Sequence, residues 1–101
     1  MNKTRRKELS DIIKRLNMIH DKENLYDCIN TLENIKDEEK DYYDNIPENL
    51  QYSQRAEDSE TAIENLEEAL DLLNKVYDMD ELNKTDDSIQ RAIDLIENAK
   101  W

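Results

Sequence analysis

A chain of 101 residues with 26 acidic and 14 basic side chains, a net charge of −12 and no glycine is a single domain by length. Without glycine it has no phosphate-cradling loop, no dinucleotide fingerprint and no nucleophile elbow, because each needs a residue lacking Cβ where the backbone turns sharply or nears a ligand. Charge of this sign repels nucleic acid and anionic membranes and attracts basic surfaces.

The charge is unevenly spread. Residues 1–22 hold seven bases (Lys3, Arg5, Arg6, Lys7, Lys14, Arg15, Lys22) and three acids, a local +4 that leaves −16 on the remainder. Apolar residues recur in four periodic segments separated by short polar breaks. The glycine-containing turn pairs that join strands are absent, so the segments read as helices. The expected fold is all-α, a small four-helix bundle or a pair of helical hairpins in one domain over residues 1–101, with dimerisation as a way to complete its core.

Taken in order, the first helix is expected over about 3–19, with Leu9, Ile12, Ile13, Leu16 and Ile19 on one face. The hexapeptide MNKTRR before and within it is expected to fray. Its bases oppose the helix dipole, so they do not serve helix stability. They serve either attraction to the acidic remainder or a short basic arm; no aromatic residue follows them for stacking, which favours attraction. The phase slips at His20–Asn24, and a second helix over about 24–43 carries Leu25, Cys28, Ile29, Leu32, Ile35 and Tyr42. Within it KDEEKD reads as a solvated charged turn with only the Lys36 stem toward the core.

Pro47, the one proline, lacks an N–H and disfavours helical geometry at Ile46. It ends the second helix near Asp44 and opens a loop over 44–55. The third helix, about 56–77, is the cleanest, with Ala62, Ile63, Leu66, Ala69, Leu70, Leu73, Val76 and Tyr77 at three- and four-residue spacing. Its cap is either Ser53 or Ser59. Thr85 followed by Asp86 and Asp87 marks the start of a fourth helix over about 86–100. Helices three and four share a small–large phrase, Leu66-x-x-Ala69-Leu70 against Ile89-x-x-Ala92-Ile93, as two antiparallel helices filling one core require. Trp101 is expected to fold back on the bundle.

Chemistry finds little purchase. Cys28 lies on an apolar face and reads as a buried structural thiol, and His20 as a surface residue. One histidine and one cysteine do not make a zinc site, and no cofactor or metal is expected. Asp78-x-Asp80 lacks the glycine and the twelfth-position glutamate of a calcium loop. The chain therefore reads as a non-enzyme. No apolar run approaches transmembrane or signal-peptide length, and a lone cysteine suits a cytoplasmic protein.

Two surfaces remain as candidates. Glu57, Asp58, Glu60, Glu64, Glu67, Glu68 and Asp71 place about one negative charge per 3 Å of helix, near the ~3.4 Å phosphate spacing along a DNA strand. The other is a tyrosine and amide cluster: Tyr42, Tyr43, Asn45, Asn49, Gln51, Tyr52 and the isolated base Arg55. It is either a recognition loop or the closure of the bundle end.

The segment DEEKDYYDNIPENLQYSQRAEDSETAIENLEEALDLL resembles one found in small acidic proteins from phages and prophages of Gram-positive bacteria. Asp44, Asn45, Pro47, Glu48, Asn49, Leu50, Gln51, Ser53 and Arg55 carry the resemblance. It implies an accessory protein made in a bacterial cytoplasm and, by analogy, an inhibitor of a host nucleic-acid-binding or defence protein that mimics DNA. The expected partner is a protein with a basic surface, contacted without direct nucleic-acid or membrane binding. The alternatives are a structural homo-oligomer, in which the acids only solubilise, and a binder of a nucleotide-like ligand using Tyr42, Tyr43, Asn49 and Arg55.

Overall fold

A computed structural model describes residues 1–79 and 87–101. Four helices follow one another: α1 (Lys3–Asn17), α2 (Lys22–Asp44), α3 (Gln54–Tyr77) and α4 (Ser88–Ala99), with a 3-10 turn at Glu48–Leu50 between α2 and α3. The described residues include no strand.

Local chemistry sets the helix ends. Asn2 Oδ1 accepts from the backbone N–H of Arg5 at 2.7 Å, so α1 begins on a capped first turn. MNKTRR was expected to fray, yet Met1 is buried in the core and Arg5 is tied into the bundle. Burial and an ion pair hold a segment whose sequence alone shows only polarity. Asp21 caps α2 through its bond from the Asn24 N–H (2.8 Å), which starts that helix two residues earlier than the apolar pattern suggests. Helix α1 stops at Asn17, leaving Ile19 outside it but still packed on the core. Of the two candidate caps for α3, Ser53 is the one used, its Oγ accepting from the Ala56 N–H at 3.3 Å. The expected cap at Thr85 and Asp86 lies outside the described residues, and Asp87 makes no side-chain capping bond to α4.

Each helix contributes one stripe to a single core. Leu9, Ile12 and Leu16 come from α1, Leu25, Cys28, Leu32 and Ile35 from α2, Leu66, Ala69, Leu70 and Leu73 from α3, and Ala92, Ile93 and Ile96 from α4. Helix α3 packs on α2 and α4, and α1 closes the ring by packing on α2 and α4. Arg5 near the start of α1 meets Glu39 near the end of α2, which meets Ser59 near the start of α3. The chain therefore runs up, down, up, down. The small–large phrase shared by α3 and α4 falls on facing stripes of this core, the arrangement that makes interdigitation possible.

The bundle is slender, 48 × 20 × 17 Å between Cα extremes. Its Cα radius of gyration of 14.2 Å exceeds the ~13 Å of a compact domain of this length. A thin rod has much surface for its volume, and the charged residues occupy it. At the far end, Tyr26 of α2 packs at a tilt against Tyr77 of α3 with centroids 5.8 Å apart, and Lys22 lies over the same Tyr77 ring at 5.6 Å. No described helix is long and apolar enough to cross a membrane.

Candidate functional site

The end of the bundle that gathers Met1, Trp101 and the α2–α3 connection is built on an interruption of the apolar stripes. On α2 the stripe runs Leu25, Cys28, Leu32, Ile35 at spacings of three and four, and its next slot is Glu39. On α1 the slot preceding Leu9 is Arg5, and on α3 the slot between Ala56 and Ala62 is Ser59. All three helices therefore place a polar residue at the same level.

Glu39 is fully buried and holds this level together. Its Oε2 accepts from Arg5 Nε at 3.0 Å, while its Oε1 accepts from Ser59 Oγ at 2.9 Å and from the Trp101 indole Nε1 at 3.1 Å. Among the described residues no buried side-chain nitrogen or oxygen lacks a partner, as a low-dielectric site requires. KDEEKD is therefore neither a turn nor wholly solvated: it continues α2 as regular helix, and its Glu39 faces the core because a guanidinium, a hydroxyl and an indole N–H meet it there. The sequence signal was the empty slot itself, an acid at a core position of a regular stripe, with Arg5 at a matching slot elsewhere.

Outside this layer lies an open cavity of about 720 Å³. Helix α1 supplies Arg5 and Arg6, α2 supplies Glu38, Asp41 and Tyr42, and α3 supplies Arg55, with Met1, Asn2, the α2 cap Asn45 and Trp101 completing the wall. Tyr42 packs at a tilt against Trp101, with centroids 6.1 Å apart, and the Arg5 guanidinium lies 5.9 Å from its ring centre. Arg6 Nη1 donates to the main-chain oxygens of Met1 (3.1 Å) and Trp101 (3.0 Å). Burial pushes the Met1 amino group down to about 6; Glu39 opposes that shift, and Arg5, Arg6 and Arg55 add to it.

The residues of the tyrosine and amide cluster separate. Tyr42 joins the cavity wall, and Tyr43 is half-buried. Asn45 caps the end of α2, its Nδ2 donating to the Asp41 carbonyl at 2.7 Å. Asn49, Gln51 and Arg55 are exposed, and Tyr52 is 95% exposed beside a half-exposed Leu50. A neighbouring groove of about 430 Å³ connects Tyr42, Ile46, Pro47, Leu50 and Arg55.

On α3, Glu57, Glu60, Glu64, Glu67, Glu68 and Asp71 are exposed. At ~100° per residue they share an arc of about 100°, opposite the buried stripe of Ala62, Leu66, Ala69 and Leu73. Asp58 lies off this arc, half-buried, where its Oδ1 accepts from Gln54 Nε2 at 2.8 Å. None of the six ridge acids forms an ion pair among the described residues.

Comparison of the chain with protein-family models, with curated proteins and with solved structures returned no match.

Proposed function

We propose that this chain is a non-enzymatic accessory protein, of the phage type its Asp44–Arg55 segment resembles, that binds a partner protein through the outward face of α3. In this reading the ridge enters a basic groove that otherwise takes nucleic acid, and the protein acts in the bacterial cytoplasm as an inhibitor. One observation carries it: six carboxylates stand on a single outward arc of a rigid helix and make no ion pair among the described residues. Over the ~21 Å from Glu57 to Asp71 they give about one charge per 4 Å, close to the phosphate spacing of a nucleic-acid strand. Docking such a ridge on a basic surface releases counterions, so the affinity falls steeply with salt.

The test is affinity capture from a Gram-positive host lysate, followed by competition. The captured protein is expected to bind duplex DNA by itself and to lose it as this chain is added. A variant carrying Glu60→Gln, Glu64→Gln, Glu67→Gln and Glu68→Gln is expected to release the partner and lose the competition. A partner without nucleic-acid binding, or full competition by the neutralised variant, overturns the reading.

A further inference from the structure

Three of the chain's five arginines line a single cavity at the Met1–Trp101 end, in a protein whose net charge is −12. Their donors are only partly used. Arg5 spends Nε on Glu39, Arg6 spends Nη1 on two main-chain oxygens, and Arg55 makes no hydrogen bond or ion pair among the described residues. Glu38 and Asp41 share the wall without pairing with any of these arginines. All three arginines lie near enough to the Met1 amino group to lower its pKa, and guanidiniums lining one space can serve together as a receptor for a phosphate. The wall also includes two half-buried aromatic residues, Tyr42 and Trp101, a residue type on which a planar base can pack. The two carboxylates are acceptors that match sugar hydroxyls. A volume of about 720 Å³ lies within the range of small-ligand sites.

We propose that this cavity binds a nucleoside monophosphate, its phosphate on Arg5, Arg6 and Arg55, its base against Trp101 and Tyr42, and its ribose hydroxyls on Asp41 and Glu38. The acidic exterior does not forbid an anion here. Over a screening length of ~8 Å at physiological salt, the nearest charges decide the local potential. Three guanidiniums stand against Glu38, Asp41 and the Glu39 carboxylate that pairs with Arg5, so the wall is near neutral on an otherwise strongly acidic protein. This site stands apart from the α3 ridge and does not depend on partner binding.

Trp101 is the only tryptophan, so its indole N–H gives a single NMR resonance at the site. Titrating the whole protein with adenosine monophosphate is expected to shift that resonance saturably. Adenosine and inorganic phosphate, each tested alone, are expected to bind at least about tenfold more weakly, since each keeps only part of the contacts. Arg55→Ala is expected to weaken adenosine monophosphate about tenfold, the loss of a charge-assisted contact, and to leave the melting temperature unchanged because Arg55 has no hydrogen-bond or ion-pair partner among the described residues. The proposal is overturned if the indole resonance stays fixed at millimolar adenosine monophosphate. It is equally overturned if Arg55→Ala binds as tightly as the parent, or if inorganic phosphate alone binds as tightly as the nucleotide.

Discussion

Replacing Glu39 with alanine removes the acceptor shared by Arg5, Ser59 and Trp101. It leaves a largely buried guanidinium and an indole N–H without partners, so Glu39→Ala is expected to cost about 3–5 kcal/mol in urea unfolding, a large share of a small domain's stability. Much of that cost comes from stranding Arg5 rather than from losing attraction. The double change Arg5→Met with Glu39→Leu is therefore expected to recover most of the stability, and no recovery would show that the polar layer holds the bundle end by attraction alone. Cys28 makes a second test at this scale. It is fully buried, and burial pushes its thiol above its ordinary 9.0. A thiol raised in the folded state loses its proton more readily when unfolded. Stability from this group is thus complete below pH 9.0 and declines as pH rises above it. Disulfide-exchange reagents are expected to modify Cys28 only at the rate of unfolding, and a Cys28→Ala variant is expected to lose less stability between neutral and strongly alkaline pH than the parent.

At the level of the helices, ends and stripes carry the argument. Ser53 satisfies one of the N–H groups that α3 leaves open at its start. Ser53→Ala is expected to cost about 1 kcal/mol, measured as a lower urea midpoint at unchanged slope. Leu66, by contrast, sits at zero exposure in the middle of the same helix, and Leu66→Ala is expected to cost about 2–5 kcal/mol through lost burial and a residual cavity. The helices themselves were legible from periodicity, because three- and four-residue spacing of Leu and Ile has one efficient solution in water. Boundaries were less so. Asp21 starts α2 early through a side-chain bond, and the choice between Ser53 and Ser59 was open because both are short hydroxyls ahead of an apolar run. Packing decided it: Ser59 lies at a core slot and bonds Glu39 instead.

For the molecule as a whole, charge and shape act together. A slender rod with a net charge of −12 repels itself, and the α3 ridge places like charges three and four residues apart, each such pair costing a few tenths of a kcal/mol. Neutralising Glu60, Glu64, Glu67 and Glu68 is therefore expected to stabilise the bundle by about 1 kcal/mol while abolishing partner capture. Added salt is expected to raise the melting temperature of the parent more than that of the neutralised variant. Equal salt responses would show that the ridge does not strain the fold.

The amino-acid order by itself determined that the chain is helical, that the described residues form four α-helices and which Leu and Ile stripes fill most of the core, because burial of apolar stripes is a local pattern repeated at a fixed period. It also determined where α2 must stop, since Pro47 acts on its own neighbours. It did not reveal that Arg5, Glu39, Ser59 and Trp101 form one layer, nor that Arg55 faces the same cavity as Arg5 and Arg6. Those groups are separated by tens of residues, and only the up-and-down threading brings them to one end. Polar slots in separate stripes acquire a meaning when the helices are set side by side, because a buried charge is stable only against the partner that tertiary packing delivers.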